Sequence, residues 1–151
     1  MISKHISKKE ATRSVTALRL GIDNTPGPEE LKNMELIAEK VFEPLREFVG
    51  GPIKINSMFR NEALNKAIGG SIRSQHCQGR AIDLDDSYGY MSNATMFNYI
   101  KETLSFDQII WEFGTSENPD WVHVSYVDEE SNRKRCLQAY RENGKTKYKI
   151  I

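Results

Sequence analysis

One stretch constrains the fold of this chain more than any other. Ser74-Gln75-His76-Cys77-Gln78-Gly79-Arg80-Ala81-Ile82-Asp83 sets an imidazole and a carboxylate seven residues apart across a glycine, and the carboxylate falls inside the alternating run Ala81-Ile82-Asp83-Leu84. A second alternating run, Trp121-Val122-His123-Val124-Ser125, carries another imidazole. Successive side chains of a strand point to opposite faces, so Asp83 faces away from Ile82 and Leu84, and His123 away from Val122 and Val124. Both polar groups then lie on the face opposite the aliphatic packing. If the two strands are neighbours, Asp83 and His123 converge, and His76 joins them from the loop before Gly79. Two imidazoles and one carboxylate bind zinc with one coordination position open, the arrangement of a catalytic rather than a structural site. A lone histidine is more often a surface or core residue than a ligand. His5 is read in that way, within a mobile N-terminal tail.

Zinc acidifies water and polarises a carbonyl, so such a site also needs a proton acceptor and a cation for the developing oxyanion. Asp120, on the turn three residues before His123, is the candidate general base and acid; its plain alternative is a turn residue after Pro119. Arg60 closes the run Ile53 to Met58, where a fork-shaped cation suits a substrate carboxylate or an oxyanion. Its plain alternative is a solvated arginine. Glu112 and Gln108 share one face of the apolar stretch Phe106 to Phe113, and polar groups so placed often orient metal ligands from behind. Glu112 is also the second candidate for the base. Ser74 is expected to anchor the loop presenting His76 by a local side-chain to backbone bond, and Cys77 is read as a buried, inert thiol.

Along the chain, Ser7-Lys8-Lys9-Glu10 has the form of a capping box and predicts a short helix, followed by a polar connector through Gly21, Asn24, Pro26 and Gly27. From Pro28, apolar residues recur at three- and four-residue steps through Leu31, Met34, Ile37, Ala38, Val41, Phe42, Leu45 and Phe48, which predicts a core helix of about 20 residues. Pro44 should kink or loosen its last turns. Ile53 to Met58 alternates as a strand, Asn61 to Ile68 reads as a short helix, and Ser92 caps another through Leu104. Strands are expected at Ala81–Leu84, Phe106–Phe113, Trp121–Tyr126 and Arg135–Tyr140, the last two flanking a polar turn at Asp128 to Asn132. Asn143-Gly144 predicts a hairpin into a final strand at Thr146–Ile150. Early helices followed by a mostly antiparallel sheet make an α+β domain. With 151 residues, a single domain over 1–151 is expected, residues 1–27 forming an N-terminal extension that packs on it.

Charge excludes some roles. Lys plus Arg equals Asp plus Glu at 21 each, so no global field draws the chain to nucleic acid. Residues 131–151 nevertheless carry seven basic side chains against Glu142 alone. They read as solvated lysines guarding an edge strand, or as a surface that steers an anionic polymer. Met1-Ile2-Ser3-Lys4-His5 opens no apolar run, which predicts neither secretory signal nor membrane span, hence a chain that stays in the cytoplasm where it is made. Cys77 and Cys136 are accordingly expected to be reduced.

Ser74-x-His76-x-x-Gly79-x-Ala81-x-Asp83 followed by Asp120-x-x-His123 resembles the zinc D-Ala-D-Ala carboxypeptidases, whose relatives include vancomycin-resistance D-Ala-D-Ala dipeptidases and phage endolysin endopeptidases. The likeness extends to Ser57-Met58-Phe59-Arg60 with Leu64-Asn65 and Gly69-Gly70, and to Phe106-Asp107-Gln108 through Glu112, covering roughly residues 28–127. It implies one zinc ion held by His76, Asp83 and His123, an acid/base at Asp120, an oxyanion-stabilising Arg60, and the α+β fold shared with hedgehog signalling domains. Several relatives have glutamate where Asp120 stands, and many have glycine where Met58 stands. The implied activity is hydrolysis of peptide bonds in peptidoglycan stems, by a monomer with no nucleic-acid or membrane partner. Lacking an export signal, such an enzyme would reach the wall by release or injection, which fits a phage enzyme. Two rival expectations are a zinc-binding interaction module of the same fold without activity, and a wall-binding protein that uses the basic C-terminal stretch.

Overall fold

The computed structural model describes residues 1–151. Helices α1 (Lys8–Thr12), α2 (Val15–Leu20), α3 (Pro28–Ile37), α4 (Glu43–Val49), α5 (Glu62–Ala67) and α6 (Asn93–Thr103) accompany strands β1 (Lys54–Ser57), β2 (Ala81–Asp85), β3 (Gln108–Glu112), β4 (Trp121–Ser125), β5 (Arg135–Glu142) and β6 (Lys145–Ile150). The strands form one sheet in the order β1-β2-β4-β3-β5-β6. Every neighbouring pair is antiparallel except β3 and β5. The expected α+β architecture with a mostly antiparallel sheet is therefore what the chain adopts.

Strand alternation divides the sheet into two faces. Ile55, Ile82, Leu84, Ile109, Val122 and Val124 point to one side and join Met34, Ile37, Val41, Phe42, Leu45, Met96, Phe97 and Ile100 of the helices in a core of 23 buried residues. At about 25 cal/mol per Å2 of buried apolar surface, burial of this layer is the main term holding the sheet against its helices. The opposite face carries Asp83, His123, Gln108 and Glu112, so the sheet separates these polar groups from the main apolar core.

The long helix expected from Pro28 runs to Val49, but Ala38–Phe42 is a π-helical segment. The cause is Pro44. Its ring would clash with the carbonyl four residues back, and widening the preceding turn, with the Glu43 N–H donating to the Ala38 carbonyl five residues away, lets the helix pass the proline without ending.

Two expectations need correcting. The N-terminus is not a mobile tail: Ile2 and Ile6 are buried in the main core, the His5 amide donates to Glu43 at 2.9 Å, and the His5 ring sits 2.6 Å from the same carboxylate. Two isoleucines four residues apart supply an anchor that the intervening polar residues hide. The connector after α1 contains the short helix α2, capped by Ser14. The strands expected on either side of the polar turn are β4 and β5, and β3 lies between them in the sheet.

Candidate metal centre

The loop that presents His76 is built by local chemistry. Ser74 caps a 3-10 turn at Gln75–Gln78, its hydroxyl accepting from the His76 amide at 3.2 Å. Gly79 follows with φ +73°, and a Cβ there would overlap the Glu30 carbonyl of α3. Only glycine supplies both the left-handed turn and the clearance. The chain then enters β2, where Asp83 lies directly opposite His123 of β4 in the antiparallel register.

These two elements bring the predicted ligands together. His76 Nε2 lies 3.3 Å from Asp83 Oδ2, and His123 Nδ1 lies 2.9 Å from Asp83 Oδ1. One ligand atom from each residue falls within 4.8 Å of the others. Ligand atoms around a tetrahedral ion with bonds of about 2.0–2.1 Å stand roughly 3.3 Å apart, so the donor set and its spacing fit zinc. His76 Nδ1 lies 2.7 Å from the Met58 carbonyl. A carbonyl only accepts, so Nδ1 carries the hydrogen and Nε2 presents its lone pair to the site. Gln108 and Glu112, expected behind the ligands, make no such bond to His76. A backbone carbonyl does that work, and no side-chain pattern could have announced it.

Burial pushes the His76 imidazole below its ordinary value, keeping it in the neutral form that a metal requires. Burial alone would raise the Asp83 carboxyl, but the two imidazoles outweigh it and hold the group well below the usual carboxylate range. The carboxylate between the two imidazoles is thus preset as a charged oxygen ligand.

A cavity of about 820 Å3 opens onto the triad, and its walls include Arg60, Ser74, Gln108 and Glu112. Arg60 is held at both ends. Its amide donates to the His76 carbonyl at 3.3 Å and its guanidinium reaches the Ser74 hydroxyl at 3.4 Å. Asn24, read from the sequence as connector, donates to the Phe59 carbonyl and accepts from the Asn61 amide on either side of Arg60. Arg60 Nε is buried without a partner. Glu112 is 8 % exposed, and burial, partly opposed by His123, pushes its carboxyl up to about 7. Asp120 does not line this cavity. It is an exposed residue before β4 whose amide donates to the Glu112 carbonyl, and it borders a separate hollow with Gly114 and Tyr140. Cys77 is half-buried rather than buried and lies outside the ligand group, and both thiols are free.

The family model of peptidase M15 matches residues 4–125, which include every predicted ligand. The chain belongs to the peptidase M15 family. This is the family of the zinc D-Ala-D-Ala carboxypeptidases, zinc metallopeptidases acting on peptidoglycan-type substrates. Among curated proteins, none matches the chain. No helix of this M15 peptidase is long and apolar enough to cross a membrane.

One residue of the M15 peptidase site escaped the sequence reading as a functional group. Asp107, 2 % exposed, accepts from Gln75 Nε2 at 3.0 Å and from the Arg133 amide, Nε and guanidinium at 3.0, 3.0 and 2.8 Å. Burial would raise its carboxyl, but these bonds bring it down to about 2. Gln75 precedes His76, so Asp107 braces the ligand loop against the entry to β5. A buried aspartate at the start of an apolar run is the one signal that could have revealed it.

Proposed function

We propose that this M15 peptidase hydrolyses peptide bonds in the stem peptides of bacterial peptidoglycan, as a zinc-dependent D,D-carboxypeptidase or endopeptidase of the phage endolysin type. The observation that carries the reading is the convergence of His76, Asp83 and His123 on an open cavity that also holds Arg60 and Glu112. Zinc held there supplies a Lewis acid that polarises the scissile carbonyl and acidifies water. Arg60, fixed by Ser74 and by the backbone of His76, offers its guanidinium to the oxygen that gains charge. Glu112 takes the proton released by the attacking water and returns it to the departing amine. Burial that raises this carboxyl towards neutrality suits a group that must both accept and donate. Glu112 is preferred to Asp120 because it shares the ligand face with His123, whereas Asp120 borders another hollow. The protein acts as a monomer on the wall after release from the cell that made it, with neither nucleic acid nor membrane as a partner.

Digestion of purified peptidoglycan, followed by mass analysis of the fragments, tests this directly. Wild type should release stem fragments, and their masses name the bond. A chelator or His123→Ala should stop release. If wild type retains zinc and releases nothing, the chain is a zinc-binding interaction module instead.

A further inference from the structure

The β5–β6 hairpin lies wholly beyond residue 125, where the family match ends, and yet it forms one wall of the metal cavity. Leu137 pairs with Ile110, which pairs with His123, so the hairpin continues the row of the sheet that carries the metal ligands. β5 stands two strand spacings from β4, roughly 10 Å. On its cavity face, Arg135 lies one alternate position to one side of Leu137 and Arg141 two to the other, and both border the cavity with Tyr148 of β6.

The charge on this wall is one-sided. The cavity is lined by five arginines, Arg60, Arg73, Arg133, Arg135 and Arg141, against two carboxylates, Asp83 and Glu112. Arg133 is taken by Asp107, and Arg60 stands beside the reaction centre. Arg135 and Arg141 have no acidic partner among the ion pairs of the molecule. The single acid of the hairpin, Glu142, sits at the alternate position and pairs with Lys147 on the other face. The Arg141 guanidinium lies over the Phe113 ring, 4.9 Å from its centroid, which restricts its rotamers and lowers the entropic cost of engaging a ligand. A cationic wall facing a catalytic cavity, with its own acid turned away, is complementary to an anion and to little else.

Resting on the peptidase reading above, we propose that the β5–β6 wall is a carboxylate subsite, in which Arg135 and Arg141 bind a free carboxylate of the peptide substrate. Guanidinium forks match carboxylates in a bidentate geometry. A stem peptide offers two such groups, the carboxylate at its C-terminus and the free α-carboxylate of its γ-linked glutamate.

The test uses the zinc-loaded full chain and four forms of the stem pentapeptide L-Ala-γ-D-Glu-L-Lys-D-Ala-D-Ala: unmodified, C-terminally amidated, amidated at the glutamate carboxylate, and amidated at both. Consumption from an equimolar mixture, followed by mass spectrometry, gives relative kcat/KM. The unmodified peptide should be favoured over the doubly amidated one by about tenfold or more, and the singly amidated forms identify which carboxylate is bound. In the variant Arg135→Gln/Arg141→Gln the ratio should fall to within about twofold. Calorimetric binding of the same peptides to zinc-loaded Glu112→Gln should show the same preference without depending on turnover. If no peptide is consumed but binding keeps the preference, the subsite stands and the peptidase reading fails. Equal binding of all four peptides, no measurable binding of any, or a preference undiminished in the double arginine variant overturns the subsite.

Discussion

Two carboxylates near the ligand strand make opposite predictions under substitution. Glu112 lines the metal cavity and Asp120 does not, so Glu112→Gln should lower turnover of a stem peptide by at least about a hundredfold with zinc content unchanged, while Asp120→Asn should stay within about threefold. Reversal of these two results, measured by kinetics and metal analysis on the same preparations, would return the acid/base role to Asp120. Glu112 also has a stability signature. Its folded-state carboxyl is raised to about 7 from an ordinary 4.5, so the stability it contributes is fully present below pH 4.5 and is lost as pH rises through 7. Metal-free Glu112→Gln should therefore be more stable than wild type at pH 8, by up to roughly 3 kcal/mol, and indistinguishable in slope below pH 4.5; denaturant melts across that range decide it. At Gly79, where a side chain meets the α3 backbone at positive φ, Gly79→Ala should cost at least about 2 kcal/mol.

Between residues and the whole, the element that matters is the 3-10 turn carrying His76. It is held from below by Ser74 and from the side by the Gln75 bond to Asp107. The folded carboxyl of Asp107 lies near 2 against an ordinary 3.8, so its stabilisation is present above pH 4 and is lost as pH falls through 2. Asp107→Asn should cost roughly 1–2 kcal/mol at pH 7, the lower end reflecting Arg133, which is 49 % exposed. The same variant should flatten the acid limb of the stability curve between pH 4 and 2. Zinc affinity should fall with it, because the brace ends next to a ligand. A variant that loses stability and keeps the wild-type zinc affinity would separate Asp107 from the site.

At the scale of the molecule, three ligands from two strands and a loop form only in the folded state, so zinc binding is linked to folding. Zinc at about a thousand times its dissociation constant should add about 4 kcal/mol, a rise in Tm of roughly 8–16 °C for a chain of this size, reversed by chelator. His123→Ala should abolish most of that rise. The ligand set was legible in the sequence because a strand has a period of two: the positions of Asp83 and His123 among Ile82, Leu84, Val122 and Val124 place both on one face whatever the partners of the strands. Local chemistry likewise announced the Ser7 and Ser92 caps and the Asn143-Gly144 hairpin. Which strands become neighbours is a long-range matter, decided by where apolar faces pack, and only the tertiary structure placed β3 between β4 and β5. That insertion brought Glu112 and the arginines of β5 around the metal cavity and left Asp120 outside it. It was also tertiary packing that turned the Met58 carbonyl towards His76, since a backbone acceptor has no letter in the sequence.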